Sequence, residues 1–318
     1  MQVAIYGSGG LGAYYGARLQ QAGHNVTYIA RGAHLAALNK DGLTLHSTLG
    51  DAHLPQVNAV SDDDLPASQD AVLVAVKTWQ LDALAPKIKA MLHDDTIVVP
   101  FLNGVEASEQ ISNAVGIRHT AAGLSRVFSF IESPGVIRHV SAGAEIVMGL
   151  PAANEHPSAS AALQRLHRAL GKAGVETSIS TTIERELWQK LIMVSCWGGL
   201  GALTHCSLGE LSADSATHAL MTATLEEGQA VAASQGIEFG PELSAQIWSV
   251  LDSFPRAATT SLSRDIIAAK PSELDAWHGI MVKLATAHGI AVPNHHFIYH
   301  ALQPVEQRSR TAHGLESS

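Results

Sequence analysis

The first dozen residues constrain this chain more than any other stretch. Residues 1–6 (MQVAIY) are a short apolar run, Gly7-Ser8-Gly9-Gly10-Leu11-Gly12 follows without a gap, and residues 13–22 have a helical composition. Strand, glycine turn, helix is the implied order. In such a unit Gly7 permits the tight turn, Gly9 lets the backbone approach a pyrophosphate, and Gly12 lets helix and strand pack closely. The helix N-terminus then turns free N–H groups and a partial positive charge toward the phosphates. A G-x-G-x-x-G run alone also fits an ordinary glycine-rich turn; the strand before it and the helix after it point to a dinucleotide.

Residues 25–30 (NVTYIA) read as a second strand ending at Arg31. A unit selecting NAD places Asp or Glu at that point to hold the ribose hydroxyls, so Ala30-Arg31 favours NADP; the competing reading is a solvated arginine opening a loop. Residues 43–46 are a candidate third strand. Residues 71–76 (AVLVAV) and 96–102 (TIVVPFL) are continuous β-rich apolar runs of the kind buried on both faces of a parallel sheet. They deliver Lys77 and Asn103-Gly104 at their C-terminal ends. Ligands in open α/β sheets lie beyond those ends, so Lys77 and Asn103 are expected on the edge that carries the glycine turn.

Residues 119–150 look extended, with Pro134-Gly135 as a turn between segments, and 159–172 and 175–180 read as a helix and a last strand. Beyond Thr182 the pattern becomes helical, over 183–203, 216–235, 241–250, 272–288 and 294–307. The expectation is an α/β first domain, 1–182, and a helical second domain, 183–318, with a polar, frayed tail from Arg308.

Composition removes several function classes. Lys+Arg number 20 against 29 Asp+Glu, a formal charge of -9 without any basic run, which disfavours nucleic acid and anionic lipid as partners. No apolar run approaches the roughly 20 residues that span a bilayer, and the first is too short for a signal segment, so a cytoplasmic location is the default. Cys196 and Cys206 form no CxxC, which argues against a disulfide framework and a thiolate zinc site. His296 and His300 stand i, i+4, but without an HExxH or a third ligand at a recognisable spacing no metal is expected. Cys196 beside Trp197 reads as core. A GxSxG elbow and a tyrosine with a lysine four residues on are both absent.

Three polar residues of the helical half are candidates for chemistry. Lys190, in Glu186-Leu187-Trp188-Gln189-Lys190, lies beside the apolar face of Leu187, Leu191 and Val194. It fits an exposed ion pair with Glu186, or a lysine whose ammonium protonates an oxyanion formed by hydride transfer. Glu273 follows Ser272, a plausible N-cap, and fits plain dipole complementation or a site carboxylate. Ser261 fits a cap serine or a substrate contact.

Together these segments resemble the ketopantoate reductase (2-dehydropantoate 2-reductase) family. IYGSGGLGAYYGARLQQAGHNVTYIARGAHLAALNKDGL, VKTWQ, FLNGVE, ELWQKLI and SLSRDIIAAKPSELDAWHGIMVKLATAHGIAVPNH fall in the family's order and spacing over nearly the whole chain. The resemblance implies an N-terminal Rossmann-type dinucleotide-binding domain followed by an all-helical C-terminal domain, with the active site in a cleft between them. It implies that Gly7, Ser8, Gly9, Gly10, Leu11 and Gly12 hold the pyrophosphate of NADPH, that Arg31 pairs with its 2′-phosphate, and that Lys77 and Asn103 line the cofactor and substrate site. Lys190 becomes the general acid; Glu273 and Ser261 hold the substrate, Glu273 also positioning Lys190. The implied activity is NADPH-dependent reduction of ketopantoate to pantoate, for pantothenate and coenzyme A synthesis.

One departure touches specificity. Four residues after the lysine the family carries a substrate-binding asparagine; here Val194 stands there, and Ser195 is the nearest substitute, about 100° further round the helix. A paralogue acting on another small 2-oxo acid therefore stays open, as does a non-catalytic NADPH sensor. A homodimer is also left open, since no segment identifies an interface.

Overall fold

The apolar runs of the first half are continuous because the sheet they build is covered on both faces. In the computed structural model, which describes residues 1–315, the first seven strands are β1 (Gln2–Tyr6), β2 (Asn25–Ile29), β3 (Leu43–Ser47), β4 (Ala52–Leu54), β5 (Asn58–Val60), β6 (Ala71–Val74) and β7 (Ile97–Pro100). Five of them form a parallel sheet in the order β5-β2-β1-β6-β7. Val3, Ile5, Leu73 and Val99 enter one core cluster, whereas Ala4, Tyr6, Val72, Val74 and Val98 enter another. The two-residue alternation of a strand puts neighbours on opposite faces, and both faces are apolar.

Helices cover each face. On the second lie α3 (Leu81–Ile88) and α4 (Ala107–Val115), which follow α2 (Gly32–Asp41) in the chain. On the first lie α1 (Gly10–Gln21) and α5 (Pro157–Lys172). α1 starts at Gly10, inside the glycine run, and buries Ala13, Tyr14, Tyr15, Ala17 and Leu19, more than one face of a helix. It is enclosed by two further sheets built from β8 (Ala122–Arg126), β9 (Ser129–Ser133), β10 (Val136–His139), β11 (Glu145–Gly149) and β12 (Glu176–Ile179), ordered β4-β3-β10-β9 and β12-β11-β8. The Tyr15 hydroxyl lies 2.7 Å from Ser125 Oγ and donates to the Glu145 carbonyl at 3.2 Å, which ties α1 to β8 and β11.

The 43–46 segment is the third strand of the chain, but it lies outside the main sheet, whose edge beside β2 is β5. β3 pairs with β4 and β10 in the second sheet. Its Leu43 and Leu45 are buried while Thr44 and His46 are half-buried, an alternation that suits a sheet with one wet face.

Counted by internal contacts, the chain divides into two compact units, Met1–Leu102 with Glu106–Ile183, and Asn103–Val105 with the chain from Glu184 on. The second is helical: α6 (Ile183–Thr204), α7 (Leu208–Ala213), α8 (Ser215–Ser234), α9 (Leu243–Asp252), α10 (Ser261–Ile267), a wide turn at Asp275–Gly279 running into α11 (Ile280–His288), and α12 (Pro293–Ala312). Its core holds Trp188, Leu191, Trp197, Met221, Leu225, Trp277, Met281 and Leu302. The architecture is thus a Rossmann-like α/β unit and an all-helical unit.

The expected frayed tail is a helix as far as Ala312, with Ser309 and Arg310 buried on the stripe continued from His295, Ile298, Leu302 and Glu306. Residues 316–318 lie outside the described part. Among the described residues no helix is long and apolar enough to cross a membrane.

Candidate active site

The glycine run occupies the carboxyl end of β1, where the strand order reverses between β2 on one side and β6 on the other. Gly7 has φ +95, and a Cβ there would stand 2.7 Å from the Ala75 carbonyl oxygen. A Cβ at Gly12 would stand 2.3 Å from the Gly7 carbonyl oxygen, and one at Gly10 would stand 2.5 Å from that of Ser129. Ser8 is turned inward, its hydroxyl donating to the Ile5 carbonyl at 3.3 Å, and Leu11 packs on the core of its unit. Gly9 differs: it caps α1 and a Cβ would meet nothing within 4 Å. Backbone therefore closes the turn on three sides and leaves open space in front of the first-turn N–H groups, which the helix itself cannot satisfy. With no acidic residue in that turn, the cradle fits a pyrophosphate.

Arg31 is exposed directly after β2, at the N-cap of α2. Lys77 is half-buried three residues beyond β6, and its N–H donates to Gln80 Oε1 at 3.1 Å. The part of β9 that abuts Gly10 had no sequence signal, because the approach depends on how the second sheet wraps α1.

The helical unit brings Asn103 and Glu273 together across 170 positions: Asn103 Nδ2–H donates to Glu273 Oε2 at 2.9 Å. Glu273 is only 5% exposed, while Asn103 is half-buried, so the contact is partly shielded from water. Lys190 is half-buried on α6, with half-buried Met193 and Val194 one turn on along the same face. Ser195 does not join them. It is fully buried and its hydroxyl donates to the Leu191 carbonyl at 2.6 Å, so the expectation that it replaces the missing amide is not met. Ser261 is half-buried as the first residue of α10; the cap is Thr260, whose hydroxyl accepts from the Ser263 N–H at 3.1 Å.

Five residues beyond Glu273, the fully buried His278 faces the fully buried His295 with 2.9 Å between their Nδ1 atoms. His295 Nε2 lies 3.1 Å from the Thr224 carbonyl, which only accepts, so His295 carries its proton on Nε2 and its Nδ1 accepts from His278. Burial lowers His295 to about 4, and burial with the neighbouring His295 lowers His278 well below the histidine range. The unfolded chain, with histidines near 6.5, takes up protons first as pH falls. Stability is therefore full above about 6.5 and is lost progressively as the pH falls toward 4. Chemical denaturation of the native chain and of His295→Gln between pH 7 and 5 checks this; equal slopes would show that the pair does not carry the effect.

A glycine turn at the switch point of a parallel sheet with an arginine just after β2, in one unit, and lysine, asparagine and a buried carboxylate in the other suit a dinucleotide-dependent oxidoreductase. The chain matches the family model "Ketopantoate reductase PanE/ApbA" over residues 3–152 and that of its C-terminal part over 182–306. It is 30% identical over 309 residues to the 2-dehydropantoate 2-reductase of Nostoc sp. (strain PCC 7120), covering 97% of this chain and 96% of that one. It is 27% identical over 306 residues to the oxidoreductase YkpB of Bacillus subtilis (strain 168), covering 96% and 99%. The crystal structure of a PanE/ApbA family ketopantoate reductase from Ralstonia eutropha JMP134 superposes with a TM-score of 0.87 at 29% identity, over 98% of this chain and 100% of that one. The chain belongs to the ketopantoate reductase family and is an NADP-dependent oxidoreductase acting on a CH–OH group; the family uses NADPH.

Proposed function

We propose that this protein reduces the C2 ketone of a small 2-oxo acid, ketopantoate first among them, giving pantoate for pantothenate and coenzyme A synthesis in the cytoplasm. The observation that supports this most is the partly buried Asn103–Glu273 contact in the unit that also carries Lys190. Residues 1–182 bind the cofactor, with Gly7, Gly9, Gly10 and Gly12 shaping the pyrophosphate cradle, Ser8 and Leu11 holding the turn from behind, Arg31 on the 2′-phosphate, and Lys77 lining the site. NADPH, when bound, supplies the hydride to C2. As the carbonyl electrons move onto oxygen, Lys190 Nζ donates a proton to the alkoxide and later regains one from water. Glu273 and Ser261 hold the polar groups of the substrate, Glu273 also orients Lys190, and Asn103 fixes the Glu273 carboxylate.

A second reading keeps the chemistry and changes the substrate. Val194 and Met193 present half-buried apolar surface one turn from Lys190 while the Ser195 hydroxyl is committed to its own helix. A polar substrate group then has no partner there, which favours a 2-oxo acid with an apolar side chain. Spectrophotometric NADPH oxidation against a panel of 2-oxo acids separates the two readings. Saturable turnover of ketopantoate above the others supports the first, preference for an apolar 2-oxo acid supports the second, and no turnover of any overturns both.

Arg31→Ala is expected to raise the KM for NADPH by about 10- to 100-fold, the loss of a charge-assisted hydrogen bond, and to leave the KM for NADH nearly unchanged. Equal losses with both cofactors would remove Arg31 from 2′-phosphate recognition.

A further inference from the structure

The segment that delivers Glu273 is anchored at a point far along the chain. Ser272, fully buried, donates its N–H to Glu306 Oε1 and Oε2 at 3.1 and 3.1 Å and its hydroxyl to Oε2 at 2.6 Å. The same Oγ accepts from the Leu274 N–H at 3.3 Å, so one serine both holds the backbone just after Glu273 and hangs from the last helix. Glu306 is 5% exposed and would be costly alone. Arg310, one turn on, donates Nε–H to Glu306 Oε1 at 2.7 Å and a second arm to Asp275 Oδ2 at 2.9 Å, and the Tyr299 hydroxyl donates to Asp275 Oδ1 at 3.0 Å. The residue before Glu273 and the residue two beyond it are both tied to α12.

We infer that Glu306, neutralised by Arg310, is a positioning residue for the reaction. Through Ser272 it fixes the backbone from which the Glu273 carboxylate meets Asn103. The inference rests on the reading of Glu273 as a group that holds substrate and Lys190. A buried ion pair is a poor source of net stability compared with apolar residues of the same shape, whereas a fully hydrogen-bonded one defines a single geometry. And every partner of the Glu306 carboxylate is a donor, so both oxygens are specified. An amide in its place sets its NH2 against a donor whichever way it is turned. Misplacing a reacting group by about 1 Å costs on the order of 100-fold in rate.

The test is a cycle of Glu306→Gln and Glu273→Gln, singly and together, read by kcat, KM for the 2-oxo acid, NADPH binding and melting temperature. Glu306→Gln is expected to lower kcat/KM by about 10- to 100-fold, mainly through kcat, with NADPH binding unchanged. Added to Glu273→Gln it is expected to cost less than about twofold, because the group it positions is already disabled. Full additivity, or normal turnover of Glu306→Gln, overturns the inference. Normal turnover of Glu273→Gln instead removes the reading of Glu273 on which it rests. Should Glu306→Gln fail to fold, Ser272→Ala, which keeps the backbone N–H contacts, enters the same cycle with a smaller expected loss of about three- to tenfold and the same two deciding outcomes.

Discussion

Lys190→Ala is expected to lower turnover by about 10²- to 10⁴-fold, the usual contribution of a positioned general acid, while NADPH binding stays close to native. The separation follows from where the groups reside. Lys190 belongs to the helical unit, whereas the open cradle at Gly9 and the exposed Arg31 belong to the α/β unit. An acid that acts only as charge develops on the substrate oxygen affects kcat and kcat/KM equally, because it strengthens in the transition state and not in the ground state. Steady-state kinetics paired with NADPH titration decides the matter. Turnover within a few-fold of native would remove Lys190 from proton transfer, and a parallel collapse of NADPH binding would make the residue structural.

Arg310→Ala is expected to cost about 3–5 kcal/mol of stability, because it leaves the Glu306 carboxylate buried and uncompensated. For a unit of this size that lowers the melting temperature by on the order of 10 °C. Glu306→Leu with Arg310→Met together should recover most of the loss, since apolar replacements remove both charges from the interior at once. The recovered protein should nevertheless stay impaired in kcat/KM, because Ser272 no longer has its acceptor. Thermal melts and kinetics on the single and double variants check both halves. A double variant as active as the native chain would mean that the pair serves folding alone.

Local features of this molecule were legible in its sequence, and long-range placement was not. β1, the glycine turn and the start of α1 are contiguous. Their apolar run, their glycines and their helix-forming residues act within a few positions of one another, and Gly7, Gly10 and Gly12 each meet a steric demand that a side chain would violate. The buried strands at 71–74 and 97–100 betrayed themselves by lacking any polar alternation. β5, three residues long, carries too little pattern to be read as a strand, although it pairs with β2 at the edge of the main sheet.

By itself, then, the sequence determined a nucleotide-binding α/β start, a helical second half, and residues that match a reductase family in order and spacing. Tertiary structure alone decided the rest. It set Asn103 against Glu273, turned the Ser195 hydroxyl into its own helix, and placed Glu306 and Arg310 on the buried stripe of α12. Hydrophobic periodicity marks a buried position only when the residue there is apolar, and a charged residue buried beside its partner looks, in sequence, like a solvated one. Partners 34 and 170 positions away are chosen by packing, which no local pattern encodes.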